Sequence, residues 1–221
     1  MNESRPRIEV IFKETFRQSL HCAVALFIIP LRWLGFWYAL GFAAVSFFWN
    51  LLAMPRLFAD TLRPQEKAKG RSPGMLVYSG SILLMAALFP LPVLAAGWAV
   101  LSLADGLATL VGKLFGQKSL SWNPDKTWVG SMTFFVSGSV FGWLALIWTG
   151  ENLAGSSPFW TQSLGISRVS WSDPGQLLLY SVSAGLISAW VESLPWKKID
   201  DNLAAPLAYA LVLTVLLFLG H

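Results

Sequence analysis

The sequence predicts an all-α, polytopic integral membrane protein of about seven transmembrane helices, and three observations carry that reading. Of its 221 residues, 55% are hydrophobic and 13% charged, about half the charged share of an ordinary soluble domain. Twelve Trp, eighteen Gly and twelve Pro suit a lipid setting, because Trp gathers at membrane interfaces while Gly and Pro are tolerated inside spans. The third observation is how the basic residues divide once spans are drawn. Together these exclude a cytosolic enzyme, a disordered chain and a nucleic-acid-binding domain. A net charge of +4 reads as loop orientation and not as attraction to nucleic acid. One cysteine, Cys22, excludes an internal disulfide and a Cys-based zinc site.

A span takes about 17–25 mostly apolar residues, and seven runs qualify or come close: 18–31, 34–54, 74–90, 92–112, 130–149, 176–194 and 203–220. Pro30 closes the first run. Pro90-Leu91-Pro92 separates the third from the fourth. Seven spans put segments 1–17, 55–73, 113–129 and 195–202 on one side, with fourteen of the sixteen Lys and Arg; Arg32 and Arg168 fall opposite. The positive-inside rule then sets the amino terminus in the cytoplasm. Residues 1–17 lack the apolar core of a cleaved signal. Ile8, Ile11, Phe12 and Phe16 recur there at helical spacing, the pattern of an amphipathic helix on the inner surface. No internal repeat is visible, so the chain reads as one domain: segment 1–17, then a bundle over 18–220. The short chain without a targeting peptide points to a prokaryotic inner membrane.

Ionisable residues inside a span are costly and call for a function. Asp105 lies inside the fourth run, with Thr109, Gly112 and Gly116 following at i+4, i+7 and i+11, one small or polar helix face. Close helix packing explains the small residues, but not the carboxylate, which suits a divalent cation. The segment after it, Lys113 to Lys118 and Asn123 to Ser131, offers Lys113, Lys118 and Lys126, glycines Gly116 and Gly130, and hydroxyls Thr127 and Ser131. Lysine meets phosphate as a point charge, and glycine lets backbone N–H groups come near an anion. No P-loop or dinucleotide spacing is present. A third cluster, Glu192 with Asp200-Asp201-Asn202, falls on the same face, where either Asp200 or Asn202 could cap the last helix. Acidic sites beside a basic glycine loop could hold a metal and a nucleoside triphosphate together. Finally, Glu14, Arg17, Gln18 and His21 share one helix face at the inner interface.

These motifs resemble the CTP-dependent lipid-alcohol kinases, the group of dolichol, phytol and farnesol kinases with the fungal CTP-dependent diacylglycerol kinase. The resemblance rests on Asp105-Gly106-x-Ala108-x-x-x-Gly112-Lys113-x-Phe115-Gly116, Lys126-Thr127-Trp128-x-Gly130-Ser131, Glu192, Asp200-Asp201-Asn202 and Glu14-x-x-Arg17-x-x-x-His21. Two positions depart from the pattern: Val129 stands where phytol and dolichol members usually carry glutamate, and Gln18 where lysine is usual. The resemblance implies transfer of the γ-phosphate of CTP to the hydroxyl of a lipid alcohol arriving from the inner leaflet. It implies Mg²⁺ held by Asp105 and Asp201, with the phosphates met by Lys113, Gly116, Lys118, Lys126, Thr127, Gly130, Ser131 and Asn202. Asp105, Asp201 and Glu192 all stand open as the general base. Diacylglycerol is the alternative acceptor. Cytidylyl transfer to phosphatidate and a lipid or ion transporter are the other readings. A transporter would spread its charges near the midplane of several spans, whereas these gather at one face.

Overall fold

The computed structural model describes residues 15–57, 66, 72–150, 152, 173–196 and 199–220. Among them, seven helical segments occupy the places of the seven apolar runs. Helix α1 covers residues 15–23 and continues as the 3₁₀ stretch Val24–Arg32, with Pro30 inside it. Then follow α2 (Phe36–Leu57), α3 (Pro73–Leu88), α4 (Leu91–Phe115), α5 (Trp128–Gly150), α6 (Pro174–Ser193) and α7 (Asp201–Leu219). By length and composition, α2, α4, α5 and α7 can each cross a membrane. Helix α3 has sixteen residues, about 24 Å of rise against a hydrocarbon core of about 30 Å. Helix α6 is long enough, but Gln176, its serines and Glu192 lower its hydropathy.

Local chemistry sets the boundaries. Ser72 accepts the Met75 N–H and Pro73 takes the first turn of α3, where a missing donor costs nothing. Pro90 lacks the N–H that a continued α3 would need, so the chain breaks there and α4 begins. Asp173 caps α6 by accepting the N–H groups of Gly175 and Gln176, each at 3.0 Å. Asp200, not Asn202, caps α7. The fourth run extends beyond its expected end at 112 to Phe115. Lys113 therefore sits in the last turn of α4 and not in the following loop, where its charge complements the helix dipole.

Helix α4 is the core of the bundle. Every residue from Leu91 to Ala99 is buried, and 72% of the helix's apolar window is enclosed by protein against 17% for α2. Helix α2 is peripheral, packing on α3 where the Phe47 ring meets Gly80. At one end of the bundle, Arg32 lies 4.6 Å over the Trp148 ring, while Asn152 donates to the carbonyls of Leu31 and Leu34.

Helices α5, α6 and α7 are cross-braced by hydroxyls, the usual adhesive between apolar helices. Ser181 donates to the Ser139 carbonyl at 2.7 Å and meets the Tyr209 hydroxyl. Ser188 donates to the Ala205 carbonyl at 2.7 Å. Tyr209 is fully buried, and its hydroxyl occupies the space a β-carbon at Gly142 would need, 2.1 Å away. Gly142→Ala should therefore cost about 1–3 kcal/mol by overpacking, read as a lower thermal midpoint in detergent. Gly74→Ala, with nothing within 4 Å, should leave that midpoint almost unchanged.

Candidate active site

The site forms where the 116–127 loop folds back between the C-terminal end of α6 and the first turn of α7. Ser119 and Thr127 pair as an antiparallel bridge. Leu120 N–H donates to the Lys126 carbonyl at 2.9 Å, and Trp128 N–H to that of Lys118 at 3.1 Å. Thr127 then caps α5, its hydroxyl oxygen accepting the Gly130 N–H at 3.1 Å. Asn123 anchors the loop outward, donating to the carbonyls of Ser193 and Leu194.

Lys126 is the centre of this arrangement. Its ammonium donates to Oε1 of Glu192 and, at 2.6 Å, to Oδ2 of Asp201. Glu192 is 4% exposed, so its carboxylate is largely cut off from water. Burial alone would lower the lysine pKa, but the two carboxylates outweigh it and hold the amine protonated above its ordinary range. Two carboxylates against one ammonium still leave the cluster net negative. Beside it lies a cavity of about 230 Å³ lined by Thr109, Gly112, Lys113, Lys126, Thr127, Gly130, Ser131 and Glu192, with Ala108 and Asp125. Three buried polar atoms here have no hydrogen-bond partner among the described residues: Ser131 Oγ, Glu192 Oε2 and Asn202 Oδ1. Orphaned buried acceptors and hydroxyls are rare, and each asks for a ligand or water.

Asp105 belongs to the same field of charge. It follows directly on a π-helical stretch, Val100–Ala104, in which the Asp105 N–H reaches five residues back to the Val100 carbonyl. Such bulges recur at functional positions. Its Oδ2 lies 3.4 Å from Nε2 of His21, which also bonds the Leu101 carbonyl at 2.9 Å. Asp201, Lys126, Asp200, Arg17 and Glu192 are among the charged groups near enough to act on it. The close approach of α1 to α4 needs Gly106, where a β-carbon would strike the Cys22 sulfur at 2.4 Å.

The structure thus brings together Asp105, Lys113, Lys126, Thr127, Gly130, Ser131, Glu192, Asp201, Asn202 and His21. Gly116 and Gly130 have a packing role: added β-carbons would meet Thr127 at 2.6 and 3.0 Å, so these glycines let the loop and α5 close against α4. Lys118 and Gly116 do not line the cavity. Glu14, and with it most of the expected amphipathic segment, lies outside the described residues. Val129, the departure from the family pattern, faces away from the cavity and lines an apolar hollow of about 640 Å³ with Trp128, Met132, Val136 and Val140. Sequence reading missed Asn123 and the backbone of Ser193 and Leu194; the one signal was that Asn123 opens the Lys126 motif.

The Lys126 cluster makes a stability prediction. Lys126→Met leaves Glu192 buried without a counter-charge and should cost about 3 kcal/mol. Adding Glu192→Gln should recover part of that loss, a positive coupling measurable by thermal or denaturant unfolding of the four-member cycle.

No protein-family model and no solved structure matches the chain. Curated plant proteins do. A probable chloroplastic phytol kinase of Zea mays is 29% identical over 152 residues, 68% of this chain and 44% of that protein. A probable phytol kinase 2 of Oryza sativa is 28% identical over 225 residues, 92% of this chain and 68% of that protein. Phytol kinase 1 of Arabidopsis thaliana is 29% identical over 138 residues, 61% and 40%. The chain thus spans less than half the length of the maize and Arabidopsis proteins. Its sequence is similar, over most of its own length, to chloroplastic plant proteins named phytol kinases.

Proposed function

We propose that this protein is a membrane kinase that transfers the γ-phosphate of CTP to the hydroxyl of a lipid alcohol: phytol, geranylgeraniol, farnesol, or a polyprenol or dolichol. The observation that carries this reading is the Lys126 ammonium shared by Glu192 and Asp201 beside a cavity edged by Lys113, Thr127 and Ser131. The similarity to phytol kinases supports the acceptor class. We place the site on the cytoplasmic face, with seven crossings, a cytoplasmic amino terminus and a prokaryotic inner membrane. CTP enters from the aqueous side and the alcohol from the inner leaflet.

In this reading Lys113 and Lys126 neutralise the phosphates, while the Thr127 and Ser131 hydroxyls donate to phosphate oxygens. Lys118 adds positive charge at the loop, and Asn202 Oδ1 and Glu192 Oε2 offer acceptors. Phosphoryl transfer asks mainly for positioning and charge stabilisation, which these groups supply. Among the described residues no three His, Cys, Asp or Glu side chains stand together as a metal site. Mg²⁺ needs no such cage, since it takes one or two carboxylates and completes its shell with phosphates and water. The net negative cluster fits it, with Asp105 and Asp201 as the oxygens. Bound there, Mg²⁺ would supply charge neutralisation to the triphosphate. The alcohol oxygen bonds to the γ-phosphorus as the bridge to CDP breaks, and the hydroxyl proton passes to Asp105, Asp201 or Glu192. His21 stands beside Asp105, its Nε2 3.4 Å from Oδ2, and the sequence spacing sets Arg17 and Glu14 on the same helix face as His21.

A second reading, diacylglycerol as acceptor, is favoured by Val129, since an apolar residue at that position also occurs in diacylglycerol-kinase-like members of the family it resembles. Purified protein with Mg²⁺ and γ-labelled CTP, ATP or UTP, offered phytol, geranylgeraniol, a polyprenol and diacylglycerol, decides between them. Label should pass from CTP to an isoprenoid alcohol. Label on diacylglycerol alone moves the acceptor, and a cytidylylated product from phosphatidate would overturn kinase chemistry. Asp105→Asn should lower kcat at least about 100-fold while the thermal midpoint stays near that of the wild type. Undiminished turnover would remove Asp105 from the chemistry.

A further inference from the structure

We propose that Asn123 is the positioning residue of this site: its side-chain amide docks the 116–127 loop on the end of α6 and so delivers Lys126 to Glu192 and Asp201. The amide is buried, 6% exposed, and all its polar atoms are used. Nδ2 donates to the Ser193 carbonyl at 3.1 Å and the Leu194 carbonyl at 3.3 Å, while Oδ1 accepts the Asp125 N–H at 3.2 Å.

The placement gives those bonds their meaning. A helix ends with carbonyls that have no partner inside it, and Ser193 and Leu194 are the two residues that follow Glu192. Asp125 is the residue that precedes Lys126. One side chain thus ties together the neighbours of both members of the ion pair. Trp122 adds a second tie, donating from Nε1 to the Ser193 hydroxyl at 3.2 Å while packing edge-on against Trp128. Lys126 has a long, flexible stem, and fixing its loop removes much of the entropy that the ion pair would otherwise cost.

Asp at this position separates the docking role from a purely local one. It keeps the oxygen that accepts the Asp125 N–H, so the turn survives. It loses the donor and sets a negative charge against two carbonyls. The test joins the ion pair covalently in the full-length protein in membranes. A water-soluble carbodiimide activates the carboxyl of Glu192 or Asp201, the Lys126 amine attacks, and an amide forms as the reagent leaves as its urea. Peptide mass spectrometry then counts the amide linking Lys126 to either acid.

The wild type should give this amide, and Asn123→Asp should lower its yield at least about tenfold. Asn123→Gln should exceed Asn123→Ala, since only Gln retains a donor; this pair carries the test if the Asp variant does not fold. Wild-type yield in Asn123→Asp, or equal yields in the Gln and Ala variants, overturns the proposal. The proposal rests on the kinase reading only for its activity arm, in which kcat should fall about tenfold with the KM for lipid unchanged. A wild type that phosphorylates no lipid, with the amide still lost in Asn123→Asp, would sink the kinase reading and leave the docking intact.

Discussion

The site depends on one shared proton carrier, the Lys126 ammonium between Glu192 and Asp201. It joins three separate pieces of chain: a loop, the end of α6 and the first turn of α7. Without it two carboxylates, one of them buried, would repel each other at the point where α6 and α7 meet. A buried pair of this kind is a poor source of net stability, because desolvation consumes most of the Coulomb gain. Its value is positional. It fixes where two acids and one base stand relative to the 230 Å³ cavity, and the fold must be assembled before any of them has a partner.

The apolar scaffold serves that arrangement by allowing backbones to come close. Gly130, Gly116 and Gly112 let Thr127 press against α4, and Thr127 in turn caps α5 at the cavity edge. Gly106 lets α1 lie against α4 so that His21 reaches both Asp105 and the Leu101 carbonyl. The π-helical turn before Asp105 adds to this, since an extra residue in a turn rotates everything after it around the helix axis. Small residues and one irregular turn thus decide where the few charged groups point.

How much of this was legible in the sequence follows from the range of each interaction. Helix positions were legible, because apolar runs and their punctuation are local: Ser72-Pro73, Pro90, Asp173-Pro174 and Asp200 each act within one turn. The face carrying Asp105, Thr109 and Gly112 was legible for the same reason, and Thr109 and Gly112 do line the cavity. The partners of Lys126 were not, since they lie 66 and 75 residues away. Nor was the difference between a glycine that admits a phosphate and one that admits a threonine, because composition alone permits either. The end of α4 was misplaced by three residues because Lys113 reads as a boundary charge, whereas a helix end tolerates a basic last turn.

Val129 departs from the motif without touching the cavity beside Lys126. In the sequence it interrupts Lys126-Thr127-Trp128-x-Gly130 at the position where the pattern usually has a carboxylate, one residue from Gly130 and two from Thr127. On α5, however, Val129 stands two residues past Thr127, about 200° around the helix from it at about 100° per residue. Its side chain lines the apolar hollow with Met132, Val136 and Val140 and not the cavity. A glutamate there would face that hollow as well, next to hydrocarbon and away from Lys113 and Ser131. The substitution therefore leaves the charge inventory around Lys126 intact and changes the polarity of the surface beside it. Its consequence belongs to the apolar surface of α5 and not to the cavity beside Lys126.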